Sequence, residues 1–273
     1  MTNDSGRIFA VANRKGGVGK TTTTISLAHG LARKVEGEGG RVLIIDFDPQ
    51  GNIATSLKLQ PREFDLADFL LDRCSFKDCV ISANRASEGF PRPNLFVIPS
   101  SDSLADAKGE LMIKAAIGGR RSVAVEDVLE EKLGFVRQLF TYVIIDCPPT
   151  LDAFSDAVYK LADEAIVPVK TDFLGEVGTA HHTDDILEAQ AYGIDIKIAC
   201  ILPTFYDQRL TIARSVLSTL TRHYGKGSVA NPIPRSTVFE QAPAVDGQTI
   251  FEYQPDSVPA SAYQSLVDRI YAS

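Results

Sequence analysis

No run of about 18 consecutive apolar residues occurs in the 273-residue sequence, which excludes an ordinary membrane-spanning helix. Met1–Gly6 is polar and lacks an apolar core, so it does not read as a secretory signal peptide. Cysteine is scarce: Cys74, Cys79, Cys147 and Cys200 form no CxxC pair and have no histidine cluster nearby. Reduced thiols of a cytosolic protein are the expected reading. A metal cluster shared across a dimer would need a partner motif beside Cys147, and none is present. Positive charge is also short, with 28 Lys and Arg against 35 Asp and Glu, a net charge of -7. That balance excludes a uniformly basic coat for nucleic acid, so any DNA contact would need a local patch. Internal repeats, low-complexity tracts and linkers are absent. A single domain over residues 1–273, behind a polar tail at 1–6, is expected.

What the sequence does have is short apolar runs: Ile8–Ala12, Val42–Ile45, Leu95–Ile98, Tyr142–Ile145, Ala165–Val169 and Ile196–Leu202. Most are apolar at successive positions, the pattern of strands covered on both faces. Helical spacing lies between them, in Ile25, Ala28, Leu31, Ala32 and Val35, and in Val125, Val128, Leu129 and Leu133. Alternating strands and helices predict an α/β fold with a doubly wound, mostly parallel sheet and helices on both faces. Asn84–Asn94, with Gly89, Pro91 and Pro93, reads as an exposed loop, and Ala107–Ser122 fits no element clearly.

Between the first strand and the first helix stands Lys15-Gly16-Gly17-Val18-Gly19-Lys20-Thr21. The usual phosphate-loop pattern starts with Gly, but Arg14 occupies that position, so the plain pattern fails. The chemistry survives. Gly16, Gly17 and Gly19 can take backbone angles closed to other residues and turn N–H groups toward phosphate oxygens. The helix opening at Lys20 adds its positive end. Lys20 would reach the β- and γ-phosphates and the Thr21 hydroxyl would bind Mg²⁺, with Thr22 assisting.

Two further strands end in carboxylates. Val42–Asp46 continues as Phe47-Asp48-Pro49-Gln50-Gly51-Asn52, and Tyr142–Asp146 continues as Cys147-Pro148-Pro149. Ligands of doubly wound folds bind at that edge. There Asp146 would hold the hydration shell of Mg²⁺, and a carboxylate such as Asp46 could orient water or hold that shell.

Together these strings resemble the ParA/Soj/MinD family of deviant P-loop ATPases, and the resemblance runs from about Arg7 to the final helix. It implies ATP and Mg²⁺ as cofactors, with Lys15, Lys20 and Asp46 as the catalytic set. Lys15 would cross a dimer interface to the partner's nucleotide, and Asp46 would position the attacking water. Gly16, Gly17, Val18, Gly19, Thr21 and Thr22 would complete the phosphate site. Base contacts map to Thr204, Pro232, Ile233 and Pro234. Arg209 and Arg235 match DNA-binding positions of the partitioning branch, and Arg214, Arg222 and Lys226 lie near enough in sequence to join them. The family's second arginine, three residues beyond Arg235, is replaced by Val238, and Asp172 stands where a Glu is usual.

The function so implied is a partition ATPase: a homodimer on ATP binding that holds DNA non-specifically and is stimulated by a ParB-like, centromere-binding partner. It would be cytoplasmic, and nucleoid-associated when ATP-bound. Two alternatives stay open: a MinD-like positioning switch without DNA, and a metabolic P-loop enzyme. The tail bears on the first. Tyr263, Leu266, Val267, Ile270 and Tyr271 share a helical face, but the opposite face carries Gln264, Ser265, Asp268 and Arg269 and is not basic. Packing on the core, and no membrane contact, is expected.

Overall fold

The computed structural model describes residues 5–60, 62–117, 123–150, 153–172 and 183–273. All six apolar runs become strands. In chain order the strands are β1 Arg7–Val11, β2 Val42–Asp46, β3 Ile81–Ser82, β4 Leu95–Ile98, β5 Tyr142–Asp146, β6 Glu164–Lys170 and β7 Lys197–Thr204. They form one sheet in the order β3-β4-β2-β5-β1-β6-β7. Every pairing is parallel except β3 with β4.

Burial on both faces explains the unbroken apolar runs, since successive side chains leave the sheet on opposite sides. Ile8, Ala10, Leu43, Ile45, Val143 and Ile145 belong to one core, with Leu104, Leu111, Leu129 and Phe154 from helices laid over them. Phe9, Val11, Val42, Ile44 and Ile144 belong to the other, with Leu27, Leu31 and Val267. In that second layer the helices Lys20–Val35 and Val258–Ala272 approach closely at Gly30, where a Cβ would lie 2.3 Å from Val267 Cγ2. Any side chain at Gly30 would displace Val267 and press on the Phe251 ring.

Parallel pairing brings the strands' carboxyl ends to one edge. Val11 and Asp46 are both register neighbours of Asp146, and Lys170 is that of Thr204. The phosphate loop, both motif carboxylates and the turn after β7 therefore meet without any long-range loop.

Three sequence expectations change. The Asn84–Asn94 stretch is not simply an exposed loop, because Arg92 is 1% exposed. Its guanidinium is forked to Glu252 at 2.8 and 2.7 Å and donates to Gly247 O at 2.8 Å. Of Ala107–Ser122, the first part is helix, Ser103–Ile117, and 118–122 lie outside the described residues. In the last helix Tyr263, Leu266, Val267 and Ile270 are buried, but Tyr271 is 39% exposed and donates to Glu38.

Candidate active site

Asn13 anchors the loop after β1. Its amide donates to Pro168 O at 2.8 Å, and its Oδ1 accepts the Lys15 N–H at 2.8 Å, tying the loop's start to β6. Gly17 and Gly19 adopt φ of +68° and +91°, the left-handed region that glycine enters freely; Gly16 does not use it. A Cβ at Gly16 or Gly17 would meet nothing within 4 Å, so the space over the loop is open. The two loop lysines go different ways. Lys20 is 7% exposed, and its ammonium donates to Asn13 O at 3.1 Å and Lys15 O at 3.2 Å, lying across the loop. Burial lowers its pKa from the usual lysine value, while Asp146 pulls the other way. The Lys15 ammonium instead sits 3.5 Å from Asp172 Oδ1 at a partly exposed position.

The carboxylates are held differently from each other. Asp146 Oδ2 accepts the Thr21 hydroxyl at 2.8 Å, and its Oδ1 accepts that of Thr24 at 3.0 Å. Asp46 accepts backbone N–H groups instead, from Asp48 at 3.2 Å and Ile53 at 3.1 Å. Asp46 is 0% exposed and Asp146 1%. Burial raises both, to about 7, and for Asp46 the neighbouring Asp146 adds to the rise. Two desolvated carboxylates on adjacent strands call for positive charge. The donor set also fits Mg²⁺, which keeps several waters and takes one or two protein oxygens besides those of a phosphate. Thr21 and Asp146 are the oxygens in place.

A pocket of about 100 Å³ opens beside Gly19 and Thr22. Thr204, Ile233 and Pro234 line it, but Pro232 does not. Phe205, Phe239 and Tyr263 contribute aromatic walls that the sequence motifs did not indicate. Phe205 gets there through a turn with φ +53°, and Phe239 arrives on the separate helix Val238–Ala244. Thr204 also donates its hydroxyl to Val18 O at 2.8 Å, joining the end of β7 to the phosphate loop.

Past β7, Arg209 forks onto Asp207, with Nε to Oδ1 at 2.9 Å and Nη2 to Oδ2 at 2.7 Å. That contact, with Arg235 nearby, holds the Asp207 carboxyl down at about 2. Arg235 is exposed, and its N–H donates to Tyr206 O, so both arginines flank one turn. Arg214 donates to Gln208 O at 2.6 Å and belongs to the same end of helix Thr211–Tyr224. Arg222 lies eight residues further along that helix, about 12 Å at 1.5 Å per residue, with Lys226 beyond it. The five basic residues therefore do not form one compact patch.

A family model described as an AAA domain matches residues 6–198. The sporulation initiation inhibitor protein Soj of Bacillus subtilis is 30% identical over 271 residues, covering 98% of this chain and 99% of Soj. The chain belongs to the ParA/Soj/MinD family of P-loop ATPases. The chromosome partitioning protein ParA of Caulobacter vibrioides is 32% identical over 267 residues, 97% of this chain and 93% of that one. Among solved structures, a Mycobacterium smegmatis protein described as cobyrinic acid a,c-diamide synthase, with bound ATP analogue and magnesium, matches this ParA/Soj-family chain with a TM-score of 0.77. Its identity is 29%, over 97% of this chain and 94% of that chain. Among the described residues of this family member, no helix is long and apolar enough to cross a membrane.

Proposed function

We propose that this family member is a single-domain partition ATPase that dimerises on ATP and then holds DNA through phosphate contacts. The observation that carries the reading is the divergence of the two loop lysines. Lys20 is buried across its own loop, where it serves the nucleotide bound in cis. Lys15 has its ammonium toward Asp172, off the cradle, and is the group available to a partner's nucleotide. Backbone N–H groups of Gly16 to Gly19 and the Lys20 ammonium bind the phosphates, with Thr22 beside them. Thr204, Ile233 and Pro234 hold the base. Mg²⁺, held through Thr21 and Asp146, would neutralise charge on the phosphate oxygens. Asp46 orients the attacking water, with Asp48 and Ile53 N–H groups fixing its carboxylate. Arg209 and Arg235 contact DNA phosphates, and pairing two protomers doubles a patch that is thin on an acidic chain. A ParB-like partner stimulates hydrolysis and releases the dimer from the nucleoid in the cytoplasm.

DNA retention with ATP, with ADP and with neither, over a salt series, tests this. Retention that requires ATP and falls steeply with salt is expected. Absence of retention under every nucleotide would sink the DNA role. It would favour the second reading, a positioning switch that does not touch DNA. One observation supports that alternative: Asp207 already occupies the Arg209 fork.

A further inference from the structure

Asp46 is only as well aimed as the chain that follows it, and two side chains from the segment after β4 grip that chain. Ile45 and Ile98 are register neighbours, so the residues past β4 run alongside Asp46–Gly51. Ser100, 8% exposed, donates its hydroxyl to the Asp48 carbonyl. The Asp48 N–H goes to Asp46 Oδ1 at 3.2 Å. One residue is thus tied at its amide to Asp46 and at its carbonyl to Ser100. The backbones are close as well: at Gly51, φ +59°, a Cβ would lie 2.5 Å from Ser100 O.

The second grip is Lys108, on the helix Ser103–Ile117 and 6% exposed. Its Nζ lies 4.3 Å from the ring centroid of Phe47 and 5.7 Å from that of Phe154. The two rings are themselves 6.3 Å apart. Phe47 sits between Asp46 and Asp48, and its N–H donates to Asp146 O at 2.9 Å. Phe154 lies on the helix Ala153–Leu161, which follows the loop after Asp146. The Lys108 ammonium thus spans the two loops that carry the motif carboxylates, held over a ring from each.

We infer that Ser100 and Lys108 are positioning residues for hydrolysis, holding the Asp46–Gly51 turn so that the Asp46 carboxylate stays oriented. This rests on the assignment of Asp46 to the attacking water. Neither residue is placed against the nucleotide. Their effect belongs in turnover, because small losses of orientation cost rate more than they cost binding.

The test compares ATP turnover, ATP affinity and thermal midpoint for Ser100→Ala, Ser100→Thr, Lys108→Met and Lys108→Arg, each alone and combined with Asp46→Ala. Ser100→Ala and Lys108→Met should lower kcat by about fivefold to tenfold, the scale of one hydrogen bond, with KM for ATP within about twofold. Ser100→Thr and Lys108→Arg, which keep the hydroxyl and the cation, should recover most of the rate. In the Asp46→Ala background the same changes should subtract nothing further from the residual rate. Unchanged kcat in Ser100→Ala and Lys108→Met overturns the inference, whatever happens to the thermal midpoint. Parallel loss of kcat and ATP affinity that Thr and Arg do not rescue also overturns it, as does an additive loss on Asp46→Ala. Normal turnover in Asp46→Ala alone strikes the parent assignment, and the inference falls with it. Should Ser100→Ala fail to fold, Ser100→Cys, which keeps the volume and a weaker donor, is read by the same criteria.

Discussion

The chain handles charge in two opposite ways on either side of the phosphate loop. Asp46, Asp146 and Lys20 are sealed in, and each is held by hydrogen bonds to named partners. Arg209, by contrast, leaves 84% of its side chain in solvent, and its fork closes on the adjacent turn at Asp207. A buried charge must be paid for by a specific surrounding structure, so its position is strongly determined. An exposed arginine is cheap almost anywhere, and its address says little. Function in the first region is therefore expected to break sharply on substitution, and in the second to change by degrees.

The largest effect is expected at Lys20. Lys20→Ala should weaken ATP binding by at least about a hundredfold, the scale for truncating one member of a desolvated, hydrogen-bonded charge set. Titration with a fluorescent ATP analogue checks this, and near-normal affinity would dissolve the contrast between the regions.

The sealed region should also carry the pH dependence of stability. His29, on the phosphate-loop helix, is buried with Nδ1 2.7 Å from Thr249 Oγ1, and burial lowers its pKa to about 4. The folded chain thus refuses a proton that the unfolded chain accepts below about 6.5. This contribution is fully present above pH 6.5 and is lost as pH falls toward 4, by up to about 3 kcal/mol. Asp46 and Asp146, held up at about 7, act in the opposite direction over the same range in both proteins, so the loss is read as a difference: the stability advantage of the wild type over His29→Gln, from urea titrations, should shrink between pH 7 and pH 4. A wild-type slope retained in that variant would assign the dependence to other groups.

Smaller and graded effects are expected on the exposed side. Arg209→Ala with Arg235→Ala should lower DNA affinity about tenfold at moderate salt. It should also reduce the logarithmic salt slope by about 1.8 per protomer, while ATP-dependent dimerisation is kept. An unchanged slope would move the DNA face elsewhere. Asp207→Asn should do the reverse and raise affinity by about twofold to threefold, fading as salt screens the site. A fall in affinity would mean that Asp207 orients Arg209 for DNA and does not compete with it.

The same contrast explains what the sequence made legible. The strands of the sheet's interior could be read because burial on both faces demands unbroken apolar runs, as in Val42–Asp46 and Tyr142–Asp146. The edge strand Ile81–Ser82 has two residues and carries no period. Gly89, Pro91 and Pro93 make the segment around Arg92 look like an exposed loop, and the partners that bury it, Glu252 and Gly247, lie about 155 to 160 positions away. The helix Ser103–Ile117 was obscured by Met112, Ile113 and Ile117, apolar residues that face solvent and blur the helical stripe. In the site, Lys20, Thr21, Asp46 and Asp146 sit in local strings at strand ends and were visible there. Thr24, one helical turn past Thr21, and Phe205, next to Thr204, lie within reach of the same local strings, whereas Phe239, Ser100 and Lys108 reach the site only through tertiary packing, and no spacing in the chain announces them.

The 2.8 Å bond from Thr204 to Val18 has a practical consequence for anyone breeding variants of this protein. The Thr204 carbonyl is occupied too, accepting both the N–H and the hydroxyl of Thr171 at 3.0 Å. Position 204 is five residues before Arg209, well inside the window a mutagenic library aimed at DNA grip would cover. Mutants there would score in a DNA screen for reasons that belong to the nucleotide loop. A library that begins at Tyr206 keeps the two traits separately selectable.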